Sequence, residues 1–130
     1  MTTGYSGTPL VRKLGIAPEH RVLFDGAPDG FALDCVRPDH QAGPGPYDVV
    51  LTFVRDRATL ERDLPVHQDR IERAGVVWVA WPKRASKVPT DVTEDVVREV
   101  ALPRGLVDVK VCAIDAVWSG LKLVIRKENR

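Results

Sequence analysis

The sequence predicts an α/β domain: a three-layer, Rossmann-like arrangement with a mostly parallel sheet and a C-terminal antiparallel hairpin. Three observations carry that prediction. Apolar runs at Arg21–Asp25, Asp48–Val54 and Val76–Trp81 alternate with helical patterns, as strand–helix–strand units with right-handed crossovers do. The middle run, Val49-Val50-Leu51 with Phe53-Val54, is almost continuously apolar, which marks a strand covered on both faces. The last two runs, Leu106–Asp115 and Leu121–Arg126, are separated only by Ala116–Gly120, too little chain for a crossover, so they pair antiparallel.

The elements follow in order. Pro9–Leu14 reads as a short helix with Thr8 as N-cap, Pro9 at the first helical position and Gly15 as its stop. Pro18 blocks continuation, and Arg21–Asp25 is a buried strand ending at Gly26. Between Ala27 and Tyr47, four prolines and three glycines predict loop, enclosing one helical turn and a short strand near Asp34–Arg37. Asp56 can cap the next helix, whose face carries Leu60, Leu64 and Ile71; Pro65 predicts a kink or restart, and Gly75 the end. Asp91 with Glu94 resembles a capping box for a further helix, with Val92, Val96, Val97 and Val100 as its apolar stripe and Pro103 with Gly105 closing it.

Composition bounds the function. One domain spans residues 1–130, long enough to withdraw about two-thirds of the unfolded surface from water. Hydrophobic residues at 44% and charged ones at 28% argue against disorder, and a net charge of +1 argues against a strongly basic nucleic-acid binder. The positive excess lies in the second half, at Lys83, Arg84 and Lys87 and in the tail. No signal pattern or membrane-length apolar run is present, so the expected compartment is the cytoplasm, with no membrane partner. Cys35 and Cys112 then read as two reduced, mostly buried thiols.

Several stretches carry a resemblance. Gly-Tyr-Ser-Gly-Thr-Pro-Leu (4–10), Trp-Val-Ala-Trp-Pro-Lys (78–83), Pro-Thr-Asp-Val-Thr-Glu-Asp-Val-Val-Arg (89–98), Leu-Val-Asp-Val-Lys-Val-Cys-Ala-Ile-Asp (106–115) and Trp-Ser-Gly-Leu-Lys (118–122) together resemble the bacterial family known only as domain of unknown function 3052. The resemblance implies the fold and a bacterial cytoplasmic origin, and no activity. The final hairpin on a parallel sheet is, at the level of fold, similar to the end of class I S-adenosylmethionine-dependent methyltransferases; folds do not fix function.

Two loops are candidate ligand sites, because ligands of open parallel sheets bind beyond the carboxyl ends of strands. In the turn Asp25-Gly26-Ala27-Pro28-Asp29-Gly30 the glycines are four apart, Pro28 removes an N–H, and Asp25 and Asp29 repel a pyrophosphate. An adenosine-type ligand with a positive sulfonium is less disfavoured there; a plain structural turn is the competing reading. The loop after the third strand places Trp81 beside Lys83, Arg84 and Lys87, able to meet a phosphate, a carboxylate or a nucleic-acid backbone unless the cations pair with Asp91, Glu94 and Asp95. Trp118 and Ser119 are expected near the hairpin tip, where the Trp either clamps a partner or folds back over the sheet edge. Trp78 reads as core.

Catalytic constellations are largely absent from the sequence, although residues distant along the chain can converge in space. Gly4-Tyr5-Ser6-Gly7 lacks the closing glycine and preceding strand of a nucleophile elbow. His20, His40 and His67 lack metal-ligand spacing, so neither a metal site nor catalytic residues are assigned. The leading expectation is a small non-catalytic domain binding a partner protein or a small regulatory ligand, with no cofactor. The alternative is an enzyme or ligand-binding domain that takes S-adenosylmethionine or a nucleotide in an atypical pocket built from Asp25, Gly26, Pro28, Asp29 and Gly30 with Trp81 and Lys83. Arg84, Lys87, Trp118 and Ser119 are the candidate partner contacts, and nucleic acid is not an expected partner. The sheet edge left by the hairpin suits a homodimer.

Overall fold

The computed structural model describes residues 9–130. Thr8, expected as a cap, and the Gly4-Tyr5-Ser6-Gly7 segment lie outside them. Five strands form one sheet: β1 (Val22–Asp25), β2 (Tyr47–Phe53), β3 (Ile71–Pro82), β4 (Leu106–Ala113) and β5 (Trp118–Ile125), in the order β1-β2-β3-β5-β4. The β1/β2 and β2/β3 ladders are parallel, and β5 runs antiparallel to both β3 and β4. Four strands therefore point one way, but half the ladders are antiparallel. The sheet is mixed rather than mostly parallel, because the last strand inserts between β3 and β4 instead of extending the edge. Gly120 permits this: a Cβ there would meet Ile114 Cδ1 at 3.0 Å and Trp78 Cε3 at 3.2 Å.

Helices α2 (Arg57–Arg70) and α3 (Glu94–Ala101) pack on the same face. Leu60 and Leu64 of α2 and Val97 and Ala101 of α3 cover Val50, Val77, Val79, Leu121 and Leu123. The opposite face carries Phe24, Leu51, Trp78 and Ala80, and among the described residues no long helix covers it. The single turn α1 (Leu10–Lys13) and the irregular chain through Phe31, Leu33 and Val36 do so instead. Helices on both faces were expected; on this side side-chain packing replaces them. Phe24, Phe31, Phe53 and Trp118 form a run of edge-to-face contacts with centroids 5.3, 5.0 and 5.1 Å apart, a geometry that adds attraction beyond area burial. The Trp78 indole N–H, buried as expected, donates to the Leu14 carbonyl at 2.9 Å and ties α1 to the sheet.

Other boundaries also differ from expectation. Helix α2 runs through Pro65 as one element and ends at Arg70, not Gly75; Ile71 already pairs with Tyr47. Asp56 caps it as expected, accepting from the Thr59 N–H at 2.7 Å. The cap of α3 is Thr93, accepting from the Val96 N–H, because Asp91 is engaged by the Arg57 backbone N–H at 2.7 Å. No strand forms at Asp34–Arg37. Asp39 instead bridges to β1, its N–H donating to Val22 O and its carbonyl accepting from Phe24 N–H, both at 2.9 Å; the outer edge of β1 is thereby covered. Cys35 is exposed and Cys112 half-buried, and neither is in a disulfide, so the expectation of two mostly buried thiols fails for Cys35. Among the described residues, no helix is long and apolar enough to cross a membrane.

Candidate functional site

The residues proposed as one ligand pocket separate into three places. Asp25, the last residue of β1, turns toward α2. Its Oδ2 accepts from Thr52 Oγ1 at 3.1 Å and from His67 Nε2 at 2.8 Å. The His67 side chain is 3% exposed and that of Asp25 40%. Arg70 Nη1 lies 3.4 Å from His67 Nδ1. A guanidinium can only donate, so Nδ1 accepts and Nε2 carries the proton given to Asp25. The His67 hydrogen bond holds the Asp25 carboxyl below the ordinary aspartate range; partial burial opposes it, and Thr52 and Arg70 add to the lowering. This cluster pins the end of β1. Gly26 follows at φ +70°, with Phe53 O 3.0 Å from where a Cβ would stand, so the turn needs glycine there for both conformation and space.

Beyond that turn the chain crosses to the other face. Pro28, Asp29 and Gly30 line a shallow, open cavity of about 460 Å³, walled by Leu10, Phe31, Ile114 and Trp118 with Asp115. Asp115 Oδ1 accepts from the N–H groups of Val117 and Trp118, both at 2.8 Å, which shapes the short connection between β4 and β5. The carboxylates of Asp29 and Asp115 thus stand beside an aromatic and aliphatic wall. Trp118 is 4% exposed. It lies in β5, packed on Phe53 with the Arg55 guanidinium 5.2 Å from its ring centroid. It therefore folds back over the sheet rather than projecting as a clamp. Ser119 sits within the same strand, paired with Trp81 and Ala113.

Trp81 and Lys83 belong to neither place. Trp81 is part of the core on the α2/α3 face, and with Lys83, Arg84 and Lys87 it lines a separate groove of about 470 Å³. Among the described residues, no group of three or more His, Cys, Asp or Glu side chains is arranged to hold a metal. Sequence reasoning missed His67, Thr52 and Arg70 as a cluster, and Phe31 and Asp115 as cavity walls. His67 carried a signal, since position 67 continues the Leu60–Leu64 stripe and a polar residue on a core stripe needs a partner.

Solved structures share this fold. A candidate methyltransferase from Thermoplasma acidophilum aligns with 98% of this chain and 77% of its own, at a TM-score of 0.56 and 8% identity. The CcbJ methyltransferase from Streptomyces caelestis aligns with 90% of this chain and 87% of its own, at 0.54 and 10%. A point variant of LepI, solved in complex with SAH and a substrate analogue, aligns with 90% of this chain at 0.57 and 12%. The chain spans about two-fifths of the length of some of the structures it matches, 39% for LepI. No protein-family model matches the chain, and neither does any curated protein; the likeness to domain of unknown function 3052 has no matching model behind it.

The fold is thus an α/β fold with a five-stranded mixed sheet, of the kind methyltransferases adopt. This corrects the leading expectation. A non-catalytic domain without a cofactor is disfavoured by structural neighbours that are methyltransferases or hold SAH, and the leaning against catalysis falls with it.

Proposed function

We propose that this chain binds S-adenosylmethionine in the cavity beyond the carboxyl end of β1 and acts as, or within, a methyltransferase. One observation carries the reading: the turn after β1, the aromatic run and Asp115 meet in one cavity at the strand ends, where ligands of such sheets bind. The donor set also suits the ligand. Leu10 and Phe31, half-buried and backed by the buried Ile114 and Trp118, offer apolar surface for a purine. Asp29 and Asp115 are acceptors for ribose hydroxyls and counter-charges for a sulfonium. Pro28 and the wide glycine spacing deny a phosphate cradle, and S-adenosylmethionine has no phosphate.

When bound, S-adenosylmethionine supplies an electrophilic methyl group on a positively charged sulfur. The protein's own residues orient and shield. Phe31 and Trp118 exclude water from one wall, and the Val117 and Trp118 N–H groups hold Asp115 by its Oδ1. The Asp25–His67 pair holds the turn from below. No general base is assigned, since both ring nitrogens of His67 are committed within the protein.

Titration calorimetry with S-adenosylmethionine and S-adenosylhomocysteine tests this reading. One saturable site is expected for each, weakened about tenfold or more by Phe31→Ala and by Asp29→Asn. Absence of binding by both ligands to a folded protein, or affinities indifferent to both substitutions, would contradict it.

A further inference from the structure

The groove at the end of β3 is the second place where the structure gathers unused binding chemistry. Its floor is Trp81, only 6% exposed, with Val92 and Val88 beside it, and its rim carries Lys83, Arg84 and Lys87. The sequence left open whether those cations pair with the nearby acids. They do not. Asp91 accepts from the Arg57 backbone N–H, and Glu94 and Asp95 are both bound by Arg98, which also reaches Asp108 at 2.9 Å. Glu94 lines the groove, yet its carboxylate is turned onto Arg98. Among the described residues, Lys83, Arg84 and Lys87 have no carboxylate partner.

A second observation points the same way. The Trp81 indole N–H has no hydrogen-bond partner among the described residues, unlike that of Trp78. Among the described residues no buried side-chain donor is left unpaired, so this N–H is open rather than sealed, on a side chain that lines the groove. The loop is also held in shape: Ser86 Oγ donates to Lys83 O at 2.7 Å and accepts from the Val88 N–H at 3.2 Å, and Lys87 sits at φ +62°, a conformation side chains adopt at a cost.

We propose that this groove binds a small phosphate ester, its phosphoryl group among Lys83, Arg84 and Lys87 and its organic part against Trp81. Three neighbouring cations exceed what one carboxylate neutralises, and a phosphoryl dianion accepts several charge-assisted hydrogen bonds at once. An apolar floor of this size suits an attached ring or short chain better than a bare ion. A nucleic-acid backbone would need cations along a track, and the unpaired cations here converge on one cavity. This site does not depend on S-adenosylmethionine: Trp81 belongs to the α2/α3 side of the sheet, whereas Phe31 and Trp118 lie on the other.

Tryptophan fluorescence of the full chain, titrated with phenyl phosphate, benzoate and a single-stranded oligonucleotide, tests the proposal. Saturable quenching by phenyl phosphate is expected, with benzoate weaker by about tenfold or more. Arg84→Gln with Lys87→Gln should remove the phenyl phosphate response without changing the melting temperature, and Trp81→Phe should remove the fluorescence change while calorimetry still detects binding. No saturation by phenyl phosphate, equal affinity in the double variant, or an oligonucleotide that binds more tightly with length would overturn it. S-adenosylhomocysteine binding by the double variant is expected to be unchanged, so failure here and failure of the methyltransferase reading are separately visible.

Discussion

His67 Nε2 lies 2.8 Å from Asp25 Oδ2, joining a helix and a strand end 42 residues apart through one shared proton. The bond is nearly sealed on the histidine side and open on the aspartate side. It couples the position of α2 to the turn that leads into the candidate ligand cavity.

Replacing His67 by Ala removes a hydrogen bond to a carboxylate and leaves a gap beside Leu64. A loss of about 2–4 kcal/mol is expected in urea unfolding at pH 7. A loss below about 0.5 kcal/mol, the size of an ordinary surface substitution, would show that the pair is not formed.

The acid limb of stability should depend on Asp25. Its carboxyl is held below the ordinary range in the folded protein, chiefly by the His67 hydrogen bond. A depressed carboxylate stabilises the fold above its unfolded pKa, and that contribution is lost as pH falls through the lower folded value. Wild-type melting temperature should therefore fall between about pH 5 and 2, and Asp25→Asn should show a shallower fall from a lower starting point. Asp56 and Asp108 are shifted the same way, by hydrogen bonds from Thr59 and Arg98, so some slope should remain. Parallel curves for wild type and variant would exclude the role given to Asp25.

The strand positions were legible because each carries a dense apolar run, and the Asp56 cap because a cap is a local signal. The order of the strands was not. Nothing local tells β5 to insert beside β3; that choice rests on Gly120 giving room to Trp78, a contact distant in sequence. The end of α2 was misplaced because Gly75 looks like a stop, whereas pairing of Ile71 with Tyr47 ends the helix earlier. The ligand-facing loops were read as one pocket since strand ends cluster at one side of a sheet. Alternation along β3 nevertheless sends Trp81 to the α2/α3 face, whereas Pro28–Gly30 lie with Phe31 and Trp118 on the other, and the pocket divides accordingly.

Gly120→Val should destabilise the protein by about 1–3 kcal/mol, because the added side chain presses on Ile114 and Trp78 in a filled interior. Chemical denaturation provides the check. A neutral result would mean that β5 does not pass beneath those two side chains.

The two thiols should react at different rates. Cys35 is exposed, whereas burial pushes the Cys112 thiol up and withholds its thiolate. Iodoacetamide treatment near neutral pH, followed by peptide mass analysis, should find Cys35 modified first. Equal rates, or faster modification of Cys112, would contradict the placement of β4.

The most direct measurement is amide hydrogen exchange with and without S-adenosylhomocysteine. Protection is expected at residues 26–32 and 114–118, on the two sides of the aromatic cavity, with the rest of the sheet unchanged. Protection confined to residues 83–93, or none at a concentration that saturates binding, would contradict a ligand site beyond the end of β1.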